Sequence, residues 1–208
     1  MPSFHDFRFL STDGKHNVFA RECTPDGEVR AVLQIAHGVA EHIYRYAPFM
    51  EFLAENGFVV VANDHLGHGK TAENEQELCF FAEKDGWNDV VSDMDTLHKL
   101  TAAKYPGVPY FLFGHSMGSF LTRTYIIDHP EGLKGVVISG TGQNPGAVIA
   151  AGKLMAKLEM IDNGPMYHSP TLDKLAFGSY NKKYDHVRTK LDWLTRDEAV
   201  VDAYIADP

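Results

Sequence analysis

Little in this chain points to nucleic acid, to a membrane or to an oxidising compartment. Its 208 residues hold no Lys/Arg run longer than two and carry a formal net charge of −9, so the basic face that a nucleic-acid partner requires is missing. No apolar run approaches the roughly 18 residues that span a bilayer. The opening Met1-Pro2-Ser3-Phe4-His5-Asp6 has neither the charged nor the apolar region of a signal peptide. Only two cysteines occur, Cys23 and Cys79, in neither a CxxC pair nor a disulfide framework. These absences predict a cytoplasmic protein with free thiols and no transmembrane segment. No internal repeat or low-complexity stretch is visible. What remains is 44% hydrophobic and 23% charged, a balance that favours a folded globular chain over a disordered one.

The apolar pattern is that of alternating strands and helices. Phe7 and Phe9 lie on one side of the Thr12-Asp13-Gly14 turn and Val18 and Ala20 on the other, which predicts an N-terminal antiparallel hairpin. Two continuous apolar runs follow, Ala31–Ala36 and Phe58–Ala62, with a helical stretch from about Tyr44 to Asn56 between them. A long helix is predicted from Gly86 to Tyr105, then a strand Tyr110–Phe113, a helix Gly118–Asp128 and a strand Gly135–Ser139. Strands that are apolar throughout and alternate with helices predict an α/β fold with a mostly parallel sheet covered on both faces. From Thr141 the character changes to helical patterns, such as Val148–Ile161 and Arg196–Ile205, without a convincing strand. The expected division is a core over 1–140 and a helical cap over 141–208.

Gly114-His115-Ser116-Met117-Gly118 matches G-x-S-x-G and stands between a predicted strand and a predicted helix, the context the motif requires. A serine on so sharp a turn presents its Oγ outside the sheet. The flanking glycines Gly114 and Gly118 let neighbouring segments approach, and the helix N-terminus favours developing negative charge. Ser116 is therefore the candidate nucleophile, against the plainer reading of a structural Gly-rich turn.

Acyl transfer also needs two main-chain N–H donors for the oxyanion. Met117 is one candidate. The other is Val39, in the loop His37-Gly38-Val39-Ala40-Glu41-His42 after the first parallel strand, although a plain strand-to-helix turn would look similar. Asp64-His65-Leu66-Gly67-His68-Gly69-Lys70-Thr71 contains two decoys. Gly69-Lys70-Thr71 lacks the earlier glycine of a phosphate-binding loop, since position 64 is Asp. Asp64, His65 and His68 have no further ligand cluster at metal-like spacing, so no metal is expected and the loop reads as a buttress of the site.

Together these motifs resemble the α/β-hydrolase family of monoacylglycerol lipases, lysophospholipases and serine aminopeptidases (S33-like). The resemblance rests on His37-Gly38-x-x-Glu41-His42, Asp64-x-x-Gly67-x-Gly69 and the segment 114–118, covers about 30–140 strongly and the cap loosely. It implies a Ser-Asp-His triad without a cofactor, with Ser116 as nucleophile and Val39 and Met117 as oxyanion donors. It implies a small acyl-ester substrate, lysophospholipase- or monoacylglycerol lipase-like. The alternatives are a serine aminopeptidase or amidase, for which Glu41 or a cap carboxylate could recognise an amine, and a non-catalytic binding protein. Leu66 and Thr71 depart from the Arg and Ser usual in the Asp64 loop. The apolar cap residues, among them Leu154, Leu158 and Ile161, suit an acyl chain or a transient membrane or micelle contact, and equally suit simple packing.

In this fold the acid and histidine follow the nucleophile on loops after later strands, and no strand is predicted after Ser139. His168, His186, Asp162 and Asp173 fall in the cap region and are not expected to complete the triad. The apolar strand Gly135–Ile138 would be an exposed sheet edge, which natural proteins avoid. The expectation is that roughly 80–110 further residues carry two strands, the triad acid and the histidine, and that these 208 residues alone are inactive.

Overall fold

The computed structural model describes residues 1–207, which fall into two compact units, Met1–Gln143 and Asn144 onward. The first is built on a six-stranded sheet. Its strands are β1 (Ser3–Leu10), β2 (Asn17–Thr24), β3 (Ala31–Ala36), β4 (Phe58–Asn63), β5 (Tyr110–His115) and β6 (Leu133–Ser139), in the order β1-β2-β4-β3-β5-β6. The expected hairpin is present and antiparallel, with Phe7 opposite Ala20 and Phe9 opposite Val18. β2 pairs antiparallel with β4, and the remaining pairs are parallel.

Helices α1 (Ala47–Glu55), α2 (Gly86–Lys104) and α3 (Met117–Asp128) cover the sheet. α1 packs Met50 and Ala54 against Leu33, Ile35, Val60 and Ala62. α2 and α3 bring Val90, Met94, Leu121 and Tyr125 onto Ala36 and Leu112. With helices on both faces, β3 is buried along its whole length, which is why it reads as an unbroken apolar run. The helix expected from Tyr44 is resolved into a 3-10 turn over Ile43–Tyr46 followed by α1. Pro48 suits the first turn of α1, where its missing N–H is not needed. Among the described residues β6 pairs only with β5, and Val137 is 52% exposed.

The second unit contains α4 (Gly146–Asn163), α5 (Pro170–Phe177) and α6 (Glu198–Ala206). At the start of α5, Ser169 Oγ accepts from Leu172 N–H and Pro170 opens the helix. Phe177, Tyr180 and Trp193 form an aromatic knot, with Tyr180 and Trp193 edge to face at 4.8 Å. The other tryptophan, Trp87, lies in the first unit and donates to Thr124 Oγ1 at 3.1 Å. Among the described residues no helix is long and apolar enough to cross a membrane.

Candidate active site

Between β5 and α3 there is one residue, Ser116, at φ 51° and ψ −118°. A non-glycine residue at positive φ costs on the order of 1–3 kcal/mol and persists only where its surroundings impose it. Here Ser116 N–H donates to Ser139 O at 2.9 Å, and Ser116 O accepts from both Ser119 N–H (2.9 Å) and Ser119 Oγ (2.6 Å). The turn closes against the end of β3. A Cβ at Gly118 would lie 2.0 Å from Ala36 O and 2.6 Å from His37 O, and one at Gly114 would lie 2.3 Å from Thr122 Oγ1. Both glycines are thus required by close approach.

Ser116 is half-buried, and within residues 1–143 no histidine hydrogen-bonds its Oγ. His115 instead lies 3.3 Å from Ser139 Oγ through Nδ1. Met117 opens α3, so its N–H belongs to the first turn, which has no intrahelical acceptor. No acidic side chain occupies that turn to cancel the partial positive charge.

The loop after β3 lies directly beside the serine: a Cβ on Gly38 would be 3.1 Å from Ser116 Cβ. The loop turns at Ala40, φ 53°, and among the described residues Val39 N–H has no acceptor. Glu41 folds back beneath it. Its Oε1 accepts from Gly38 N–H and from Tyr46 OH (2.7 Å), and its Oε2 from Arg45 Nη1 (2.9 Å). His42 is half-buried, and its ring meets that of Tyr44 in an edge-type contact, centroids 6.0 Å apart.

Asp64 acts at one remove from the serine. Oδ1 accepts from Ile43 N–H and Oδ2 from Lys70 N–H, each at 2.8 Å, so one carboxylate joins the loops after β3 and β4. Burial raises its pKa, and those two N–H donors oppose the rise. The two departures from the family pattern have structural uses. Leu66 packs with Val90, Val91 and Leu121. Thr71 Oγ1 donates to Asp64 O (2.7 Å) and accepts from Phe19 N–H (2.9 Å), tying the loop to β2. Lys70 Nζ donates to Tyr44 OH at 2.6 Å.

His37, His65 and His68 are buried together, with the His37 ring 4.2 Å from that of His65 and 5.2 Å from that of His68. Burial is the main cause holding all three below the ordinary histidine pKa, His65 down to about 3. Among the described residues no group of three His, Cys, Asp or Glu side chains could hold a metal. The sequence pattern did not reveal the clamp formed by Glu41, the role of Ser119 or the histidine packing. The Glu41 and Ser119 contacts span only three to five residues but depend on how the loop and the bend fold back, and the histidine packing joins the loops after β3 and β4.

A serine at a strained strand-to-helix bend, with the Gly38 loop against its Cβ and Val39 N–H in that loop without an acceptor among the described residues, is suited to attack a carbonyl and stabilise the resulting oxyanion. Comparison with known proteins places the chain among hydrolases. The family described as serine aminopeptidase, S33 matches over residues 27–208. The monoacylglycerol lipase of Mycolicibacterium smegmatis is 30% identical over 190 residues, covering 89% of this chain and 58% of that protein. The monoglyceride lipase of Mus musculus is 28% identical over 201 residues, covering 96% and 58%. Among solved structures, a thermostable carboxyl esterase from Bacillus coagulans in complex with glycerol aligns with a TM-score of 0.87 at 32% identity, covering 99% of this chain and 66% of that one. The chain thus spans somewhat less than two thirds of the length of these relatives. The sheet, its N-terminal hairpin and the helices around it are those of an α/β-hydrolase.

Proposed function

The chain belongs to the serine aminopeptidase, S33 family, and from that we propose that the protein hydrolyses carboxylic esters of acyl lipids, with a monoacylglycerol or lysophospholipid as substrate. The observation that carries this reading is Ser116 at φ 51°, with the Gly38 loop seated against its Cβ.

In the proposed reaction Ser116 Oγ attacks the ester carbonyl and its proton passes to a general base. The N–H groups of Val39 and Met117 receive the negative oxygen. Collapse releases the alcohol and leaves an acyl-enzyme, which water then cleaves to return the free serine and a fatty acid. We place the acid and the histidine in the part of the relatives' length that these residues do not span. Support comes from the first unit, where no histidine reaches Ser116 Oγ. On that reading residues 1–208 alone fall short of the full enzyme by up to about 10⁶ in turnover, the cost of losing the base in a comparable serine enzyme.

Glu41 weighs against peptide cleavage. Both of its oxygens are engaged by Gly38, Tyr46 and Arg45, and Arg45 already offsets its charge, so little of its roughly four-fold acceptor capacity is left for a substrate ammonium group. The exposed apolar side chains of α4, among them Leu154, Leu158 and Ile161, suit an acyl chain and brief contact with a micelle or membrane. The free thiols Cys23 and Cys79 suit the cytoplasm.

The test is to treat full-length protein with a fluorophosphonate and map the labelled peptide, alongside hydrolysis of a monoacylglycerol and of an aminoacyl anilide. Label on Ser116, lost in Ser116→Ala, with turnover of the ester is the expected result. A protein that takes no label, or that cleaves only the anilide, would overturn the reading.

A further inference from the structure

His37 is fully buried at the end of β3, and each of its ring nitrogens has one main-chain partner. Nε2 lies 3.0 Å from His65 N, an amide that can only donate, so Nε2 is the acceptor. In a neutral ring the proton is then on Nδ1, 2.7 Å from Gly38 O, to which it donates. A protonated ring would set Nε2–H against His65 N–H, two donors head to head. Burial and the neighbouring His65 and His68 rings oppose that charged form.

The consequence reaches the next residue. Gly38 C=O and Val39 N–H belong to one planar trans peptide and point in opposite directions. A bond that fixes the carbonyl therefore fixes the N–H. On the other side of Gly38, the preceding peptide is fixed by Gly38 N–H donating to Glu41. Both polar groups of Gly38 are thus taken, and Val39 N–H is the one left without an acceptor among the described residues.

We propose that His37 is a positioning residue for the ester hydrolysis: as the neutral Nδ1–H tautomer, set by the amide of His65, it orients the Gly38–Val39 peptide so that Val39 N–H meets the oxyanion. This rests on the serine-ester reading above. His37 touches no reacting atom and acts only through the peptide plane. The loop after β4 thereby governs the oxyanion site through one imidazole ring.

The experiment uses full-length protein with two variants, His37→Phe and His37→Asn. Asn can still donate from its amide near the Nδ1 position, whereas Phe cannot. For His37→Phe we expect kcat to fall roughly tenfold to a thousandfold with KM nearly unchanged, by comparison with deletion of one oxyanion donor. Affinity for a trifluoromethyl ketone, which binds as a charged tetrahedral adduct, should fall by a similar factor. Asn should recover part of both losses.

A purely structural role would lower the folded fraction without changing kcat per labelled Ser116. Unchanged kcat and ketone affinity in the folded, labelled variant would overturn the proposal and leave the serine-ester reading intact. Should Phe fail to fold, His37→Asn and nitrogen-15 NMR of the wild-type histidines decide. The resonance lost in Asn should report a neutral Nδ1–H ring, and an Nε2–H ring would overturn the proposal. Absence of label on Ser116 in wild type would overturn the serine reading and this proposal with it.

Discussion

Gly118, in the first turn of α3, is so close to the end of β3 that a Cβ there would lie 2.0 Å from the carbonyl oxygen of Ala36. The helix that follows the serine therefore rests directly on the main chain of the strand leading to the oxyanion loop. One glycine sets the distance between the two halves of the site.

Gly118→Ala tests that contact. In an ordinary helix position the change would help by up to about 1 kcal/mol. Here the added methyl meets backbone that cannot swing aside, and overpacking of this kind costs about 1–3 kcal/mol or more. The variant should melt several degrees below wild type in a thermal scan. It should also lose labelling rate at Ser116 beyond its loss of folded protein.

Asp64→Asn tests the staple between the two loops. The carboxylate accepts from Ile43 N–H and Lys70 N–H, whereas an amide offers one acceptor and presents a donor to the other amide. Leaving one buried N–H without a partner costs about 1–3 kcal/mol, so the urea midpoint should fall accordingly. Asp64→Ala should cost more. An unchanged midpoint in both variants would show that the loops hold together without it.

The three buried histidines predict a stability loss in acid. Their pKa values are depressed in the folded chain, chiefly by burial, His65 to about 3. As pH falls below the ordinary 6.5 the unfolded chain binds protons that the folded chain does not, so stability declines from there toward about 3. Asp93 acts in the opposite direction. Burial raises its pKa to about 6, so its penalty grows as pH rises from 3.8 to about 6. His65→Phe should flatten the acid decline: its urea midpoint should drop less between pH 6.5 and 4.5 than that of wild type. Equal drops would mean that His65 does not drive it.

The parts of this protein that sequence pattern conveys are those with local causes. Ala31–Ala36 is a strand with the expected ends because a strand covered on both faces must be apolar throughout and stop where the loop turns polar. Ser116 stood out because the bend it occupies demands small neighbours at fixed offsets. α5 does not stand out in the pattern although Ser169 and Pro170 are an ordinary helix start and Leu172, Leu175 and Ala176 follow at helical spacing, because its eight residues make barely two turns, too short a window to establish a period. The tautomer of His37 was beyond reach. Its partner is the amide of His65, 28 residues on, and no side-chain pattern records where a main-chain N–H points.

The placement of the two tryptophans gives each unit a separate optical signal. Trp87 is bonded to Thr124 in the first, and Trp193 is stacked in the aromatic knot of the second. Within these 208 residues, Trp87→Phe leaves tryptophan emission from the helical segment alone, and Trp193→Phe from the sheet-containing unit alone. Comparing the two heat scans would reveal whether both parts come apart as one cooperative event or in sequence, with no external dye attached.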